Sequence, residues 1–235
     1  MNSTRLATAL VLAMATATVP ACRRESQSYH PLAAGTHWEY RVSERAQHRD
    51  RPEQRADGEI FTETVLPARE LNGRTVIPLQ ADMLGHKATS FVVERRDGIY
   101  AVARQELDQQ EIKTHDVPQC LLPYPPVKEV TCDLEAPELY ETTEFKLTGV
   151  AHIEADDEVV TVPAGIYHNC LRIRAEASGS AHLPDRLGTV SMKTEEIQWW
   201  APGVGMVKTQ LKQEMDPKSF GWGTRTMELV SFKSG

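Results

Sequence analysis

Apolar residues recur at every second position in run after run of this chain. Between Glu59 and Leu66, Ile60, Thr62, Thr64 and Leu66 alternate with Phe61, Glu63 and Val65. Between Tyr140 and Asp156, Phe145, Leu147, Gly149, Ala151 and Ile153 share one parity; Lys146, Thr148, His152 and Glu154 share the other, with Val150 among them. Beyond Gly205, Val207, Thr209, Leu211 and Met215 oppose Lys208, Gln210, Lys212 and Glu214. Successive side chains of a strand point to opposite faces, so each run reads as a strand with one apolar and one polar face. No apolar stripe at helical spacing continues for about eleven residues or more. Asn72-Gly73 and Asp97-Gly98 supply tight hairpin links. The expected fold is mainly β: an antiparallel meander forming a strongly curved sheet, half-barrel or barrel, with little helix and one wet face.

Two phrases fix turns within the second half. In Val162-Pro163-Ala164-Gly165, Pro at the second position and Gly at the fourth suit a type I turn. In Ala201-Pro202-Gly203-Val204, Gly directly after Pro favours type II, whose third residue needs φ > 0. Gly205 adds a second permissive position, but no GxxxxGK[ST] or helix-opening GxGxxG accompanies it, so these glycines read as turns and not as a phosphate cradle. Other stretches read as links. Arg41 to Asp57 is charged and reads as a solvated excursion. Arg104 to His115 reads as a strand end or short helix. Ser178 to Gly188 reads as a loop, as does Pro217 to Gly223 around Phe220 and Trp222. The Pro-rich residues 117–137 are the one candidate hinge.

The chain begins as an export signal. Arg5 precedes an apolar run from Leu6 to Val19, too short to span a bilayer. The run ends in Val19-Pro20-Ala21-Cys22, which resembles the bacterial lipobox, with Cys22 as the lipidated residue. Ordinary secretion with a free Cys22 is the alternative. The expected organisation is a leader over 1–21, a tether over 22–30 and a single antiparallel β domain over 31–235, with an internal division near 117–137. A diacylglyceryl thioether with an N-acyl chain buries several tens of CH₂ groups at roughly 0.8 kcal/mol each, a permanent anchor. Arg23 stands after the Cys with no Asp there to signal inner-membrane retention, so a periplasm-facing position on the outer membrane is expected.

The formal net charge is −7, and no basic cluster is present. That argues against nucleic acid and against a polybasic membrane patch. With Cys22 committed to lipid, Cys120, Cys132 and Cys170 remain in an oxidising compartment. Cys120 and Cys132 bracket the stiff Leu121-Leu122-Pro123-Tyr124-Pro125-Pro126 and are the expected disulfide; Cys170 could instead pair with either. On alternation Cys170 falls on the Arg172/Arg174 face, as a buried small residue, a disulfide partner or a reactive thiol. No thiol or imidazole spacing supports zinc, and no metal or cofactor is expected.

Nothing assembles a catalytic constellation. Ser178-Gly179-Ser180-Ala181-His182 with Asp185 has the residue types of a hydrolase crowded on one polar loop, without a Gly-x-Ser-x-Gly elbow. His152 and Glu154 share a strand face beside Asp156-Asp157 and could meet a divalent ion. Glu195 and Glu196 face opposite ways and make a poor acid–base pair. Trp38, Trp199, Trp200 and Trp222 are the candidates for ligand contact; they also suit plain core packing.

Three phrases together resemble a bacterial family: Pro31-Leu32-x-x-Gly35-x-x-Trp38-x-Tyr40, Val162-Pro163-Ala164-Gly165-x-Tyr167-x-Asn169-Cys170-Leu171, and Ala201-Pro202-Gly203-Val204-Gly205-Met206-Val207-Lys208. With the closing Glu228-Leu229-Val230-Ser231-Phe232, the chain resembles the exported lipoproteins of the TapB/DUF3108-like group. The resemblance implies a secreted antiparallel β domain akin to curved-sheet lipoprotein carriers, and it carries over no catalytic residues. Members often repeat the Pro-Leu-x-x-Gly-x-x-Trp phrase mid-chain, where this sequence has its Pro-rich, Cys-flanked stretch. The expected function is a non-enzymatic binding or scaffold module of the envelope, with an apolar ligand or an envelope protein as partner. A carrier for apolar or lipidated cargo is the first alternative and a hydrolase of unrecognised type the second.

Overall fold

The computed structural model describes residues 28–48, 52–83, 86–106, 109–124, 129–135, 146–183, 188–217 and 221–235. The described residues form thirteen strands and no helix. In chain order these are β1 (His37–His48), β2 (Gln54–Val65), β3 (Arg69–Leu71), β4 (Arg74–Met83), β5 (His86–Arg95), β6 (Gly98–Glu106), β7 (Lys113–Pro123), β8 (Glu129–Glu135), β9 (Lys146–Val162), β10 (Gly165–Leu183), β11 (Gly188–Ala201), β12 (Gly205–Asp216) and β13 (Gly221–Lys233).

One antiparallel sheet runs in the order β7-β6-β5-β4-β2-β1-β13-β12-β11-β10-β9-β8, with β3 paired to β4 at its side. Two six-strand meanders therefore meet where the first strand pairs with the last, from His37 against Lys233 to His48 against Gly221. The outer strands β7 and β8 are consecutive in sequence, and residues 124–128 between them reach at most about 18 Å when extended. The sheet must curl until its edges meet. They come into contact without a ladder between them, which makes a nearly closed barrel. Across the interior, β9 also reaches β12 and β13.

The described connections at one end of the barrel are turns identified by their Gly or Pro. Gly203 has φ 74°, and Val204 N–H donates to the Ala201 carbonyl at 3.2 Å, closing the Pro-Gly turn. Asn72 and Gly73 both have positive φ, 52° and 73°, as their two-residue hairpin requires. Residues 28–36 plug this same end. Gly203 N–H donates to the Ser28 carbonyl, Gly35 N–H to the Val65 carbonyl, both at 2.9 Å, and Thr36 Oγ1 to the Ala33 carbonyl at 2.7 Å. We call it the plugged end. Under the plug lies the main core, with Trp38, Tyr40, Leu171, Trp200, Val207 and Leu229 among its members. A smaller cluster of Val76, Phe91 and Ala103 sits on the outer wall beneath Leu71 of β3.

Several stretches expected to be links are strand. Arg41 to Asp57 is mostly the β1–β2 hairpin, with Val42 and Ala46 buried on one parity of β1 and Arg41 and Arg45 exposed on the other. β10 runs to Leu183 and so takes in Ser178 and Ser180. Trp222 lies within β13, while Phe220 falls outside the described residues. The Pro-rich 117–137 holds the end of β7 and all of β8, and the sheet is continuous around it through β1 and β13.

Candidate binding interior

Strand parity decides which side chains enter the barrel. On β2, Phe61, Glu63 and Val65 pair across to Tyr40, Trp38 and, on β4, Leu79, all of them interior. Glu63 therefore points inward between two apolar side chains, with Ala81 opposite on β4. Its carboxylate is enclosed by protein yet keeps some access to water. Among the described residues no cation or hydrogen-bond donor reaches it. Burial pushes it up to about 7, from an ordinary 4.5. The buried Tyr40 phenol is raised well above its usual value by desolvation first, then by Glu63 and Tyr167.

A second polar stripe crosses the interior from β11 to β1. Trp200 Nε1–H donates to Gln198 Oε1 at 2.9 Å, and Gln198 Nε2–H to Glu196 Oε1 at 2.9 Å. Thr209 Oγ1–H donates to the same Glu196 oxygen at 3.0 Å. In register with Glu196, Leu211 and Arg225 lead to Glu44, where Arg225 Nε–H donates to the carboxylate at 2.9 Å. One step further from the plug, Thr194 and Gln213 face each other across the ladder, both buried. Thr194 Oγ1 and Gln213 Nε2 have no partner. Buried polar atoms are nearly always paired, so this interior has hydrogen-bonding capacity left over.

The plug adds a buried imidazole. His30 stacks on Trp38 with ring centroids 4.9 Å apart and meets Trp200 edge-on at 5.3 Å. Its Nδ1 has no partner, and burial lowers its pKa to about 4. Trp38 is fully buried and donates to the Val204 carbonyl at 2.6 Å. Trp199 faces the other way, donating to Glu158 Oε2 at 2.6 Å beneath the Arg172 guanidinium. Trp222 donates to Gln47 Oε1 at 3.0 Å. The four tryptophans thus divide between the plugged core and the outer wall.

Cys170 stands two residues before Arg172 on β10 and pairs with Glu158 of β9. It follows a bulge at Asn169, φ 56°, and is fully buried as a member of the main core. Burial and then the nearby Glu158 raise its thiol to about 11. Cys120 lies on β7 opposite Tyr100, and Cys132 on β8 opposite Gly149; the Cys132 side chain falls outside the described residues, as does Cys22. Ser178, Ser180 and His182 share an outward parity, with His182 Nδ1 3.4 Å from Thr189 Oγ1, while Asp185 lies outside the described residues. Glu154 spends its two oxygens on Arg172 and Arg174, at 3.2 and 2.7 Å, and His152 stands 3.3 Å from Glu129. Glu195 pairs with Arg174 on the wall while Glu196 faces in.

The inward carboxylate was visible in the alternation, since Phe61, Glu63 and Val65 share one parity. An acidic residue between two apolar ones on a core face is the signal that could have singled it out. His30 offered no such signal, because it lies in what reads as tether.

No family model matches the chain, so membership in the group its phrases resemble finds no support there. No curated protein matches it either. Among solved structures the chain is similar to a candidate lipoprotein of Parabacteroides distasonis, at 14% identity and TM-score 0.47, over 89% of this chain and 100% of that one. It is also similar to a candidate exported protein with a YmcC-like fold from Bacteroides fragilis, at 14% identity and TM-score 0.37, over 88% of this chain and 100% of the other. At these values the likeness says nothing of what this chain binds.

Proposed function

We propose that this chain is a binding module of the bacterial envelope, held at the outer membrane by lipid on Cys22 and facing the periplasm, without enzymatic activity. Inward-facing Glu63 carries the reading. A barrel that served only as a spacer would place an aliphatic side chain between Phe61 and Val65, since burying a carboxylate without a partner costs several kcal/mol or shifts its titration. A ligand with an apolar body and one hydrogen-bond donor or cationic group answers both halves of that environment. The apolar part would rest on Phe61 and Tyr40, and the donor would meet the carboxylate. This is closer to a selective binding site than to a carrier's aromatic cavity, because Trp38 and Trp200 are spent on the plug.

Native mass spectrometry of the lipoprotein extracted from its own cells tests the reading. A co-purifying small molecule seen with the wild type and lost from Glu63→Leu, at unchanged fold by circular dichroism, supports it. A bare protein mass under conditions that preserve a control lipid complex, or an adduct indifferent to the substitution, overturns it.

A further inference from the structure

We infer that the plugged end of the barrel rests on the bilayer, with the outer face of the β9–β10 hairpin tip as the contact. The inference relies on the reading that Cys22 is lipidated, and two observations independent of the barrel interior carry it.

The first is reach. The chain enters the described structure at Ser28, whose carbonyl accepts from Gly203 N–H at 2.9 Å and whose hydroxyl lies 3.4 Å from the Tyr124 hydroxyl. Ser28 is therefore pinned at the plugged end, between the β11–β12 turn and the chain leaving β7. Only residues 23–27 separate it from Cys22, a span of at most about 20 Å fully extended. An acyl chain on Cys22 holds this end close to the headgroups and points the opposite end away from them.

The second is exposure. The hairpin tip bends over the plugged end, where Ala164 N–H donates to the Leu229 carbonyl of β13 at 2.9 Å. Its inner side, with Val160 and Val162, joins the core. Its outer side carries Val159, 60% exposed and two residues before Thr161 on β9, and Ile166, 62% exposed and paired with Thr161 across the ladder. Val230 of β13, 37% exposed, lies at the same end. Exposed aliphatic side chains gathered where the anchor enters suit the interfacial region of a bilayer. Asp156 and Asp157 stand nearby on β9, both exposed. The contact is accordingly apolar and gains nothing from anionic lipid, since the acidic groups lie beside it.

Ile60 provides an internal control. It is 46% exposed but lies in the middle of β2, on the outer wall, opposite Arg41. The experiment uses the mature lipoprotein with ¹³C-labelled isoleucine δ1 methyls in phosphatidylcholine nanodiscs containing a headgroup-proximal doxyl lipid. The Ile166 methyl signal is expected to lose more than half its intensity and the Ile60 signal less than a tenth. Replacing a third of the lipid by phosphatidylglycerol should leave that ratio unchanged. Equal broadening of the two methyls, broadening of Ile60 alone, or an effect that appears only with anionic lipid overturns the placement. Intact mass on the same sample separates the underlying reading: an unmodified Cys22 overturns anchor and placement together, whereas a diacylated Cys22 with an unaffected Ile166 overturns the placement alone.

Discussion

The Trp38 indole N–H donates to the Val204 carbonyl at 2.6 Å, so the first strand of the sheet holds the turn that starts β12, reaching past β13 to do so. Two residues on, Tyr40 Oη–H repeats the device on the Met206 carbonyl at 3.0 Å. Both aromatics are essentially inaccessible to solvent. Trp38→Phe removes the donor and leaves the carbonyl desolvated and unpaired, a loss of about 1–3 kcal/mol to which the reduced ring volume adds. Tyr40→Phe isolates the hydrogen bond and should cost about 1–2 kcal/mol. Trp222→Phe, whose partner Gln47 is exposed, should change stability by under about 0.5 kcal/mol. Urea unfolding followed by far-ultraviolet circular dichroism ranks the three, and an unchanged midpoint for Trp38→Phe would refute the cross-sheet role.

Stability should respond to pH through two buried groups that pull in opposite directions. His30 is depressed from 6.5 to about 4, so the unfolded chain takes up its proton first. Its stabilising effect is complete above pH 6.5 and is lost as pH falls toward 4. Glu63 is raised from 4.5 to about 7, so the folded chain holds its proton longer. Its favourable effect is complete below pH 4.5 and is lost as pH rises through 7. Each displacement of about 2.5 pH units corresponds to roughly 3–4 kcal/mol at about 1.4 kcal/mol per unit. Between pH 4.5 and 6.5 the two slopes oppose each other. Glu63→Gln should stabilise the protein at pH 8 and leave a curve that falls on acidification. His30→Phe should leave one that falls on the alkaline side. Thermal melts of both variants across pH 4–8 check the crossing, and parallel curves would count against the assignment.

The thiol of Cys170 should be inert while the protein is folded. It is fully buried, and its pKa of about 11 leaves little thiolate at neutral pH. A disulfide reagent should react at this position only after denaturation, at least a hundredfold more slowly in the folded state. Cys170→Ser puts a hydroxyl into an apolar pocket and should cost about 1–3 kcal/mol. Peptide mapping after timed labelling gives the rate, and rapid modification of the folded chain would show that the β10 bulge opens.

The sequence revealed the strands because alternation survives wherever one face is dry and the other wet. It also revealed the turns, because Pro163, Gly165, Pro202 and Gly203 leave few backbone options. The burial of Cys170 was among the readings its sequence offered, but the bulge at Asn169, a residue with positive φ, was not legible, because alternation reports parity alone. Arg41 to Asp57 looked like a loop because both parities are rich in charge: Glu44 and Arg225 pair inside the barrel, so the dry face is not apolar there. Glu63 was legible in type and parity. Its isolation from any cation depends on which six strands lie across from it, and that is set by the β1–β13 pairing between opposite ends of the chain.

Gly149 shows how closely the neighbouring strands β9 and β10 approach, and it yields the sharpest test of the packing. It sits in β9 opposite Ala177 of β10. A Cβ there would lie 2.1 Å from the Glu176 carbonyl oxygen and 2.5 Å from the Ala177 Cβ. Neither atom belongs to a flexible side chain, so the backbone itself must yield. Gly149 does not have positive φ, so the penalty for Gly149→Ala is steric and not conformational, about 2–3 kcal/mol or more by the cost of overpacking. Gly223 of β13 supplies the counter-case. It too lacks positive φ, and a Cβ would meet the Arg45 carbonyl oxygen at 3.8 Å and the Ala46 Cβ at 3.9 Å, ordinary contact distances. Gly223→Ala should therefore stabilise by about 0.4–1 kcal/mol, chiefly by restricting the unfolded chain. Opposite shifts of the urea midpoint for the same chemical change, a single methyl added at two sites in one barrel, are the expected result. A tolerated Gly149→Ala would mean that β9 and β10 stand further apart than their close register implies.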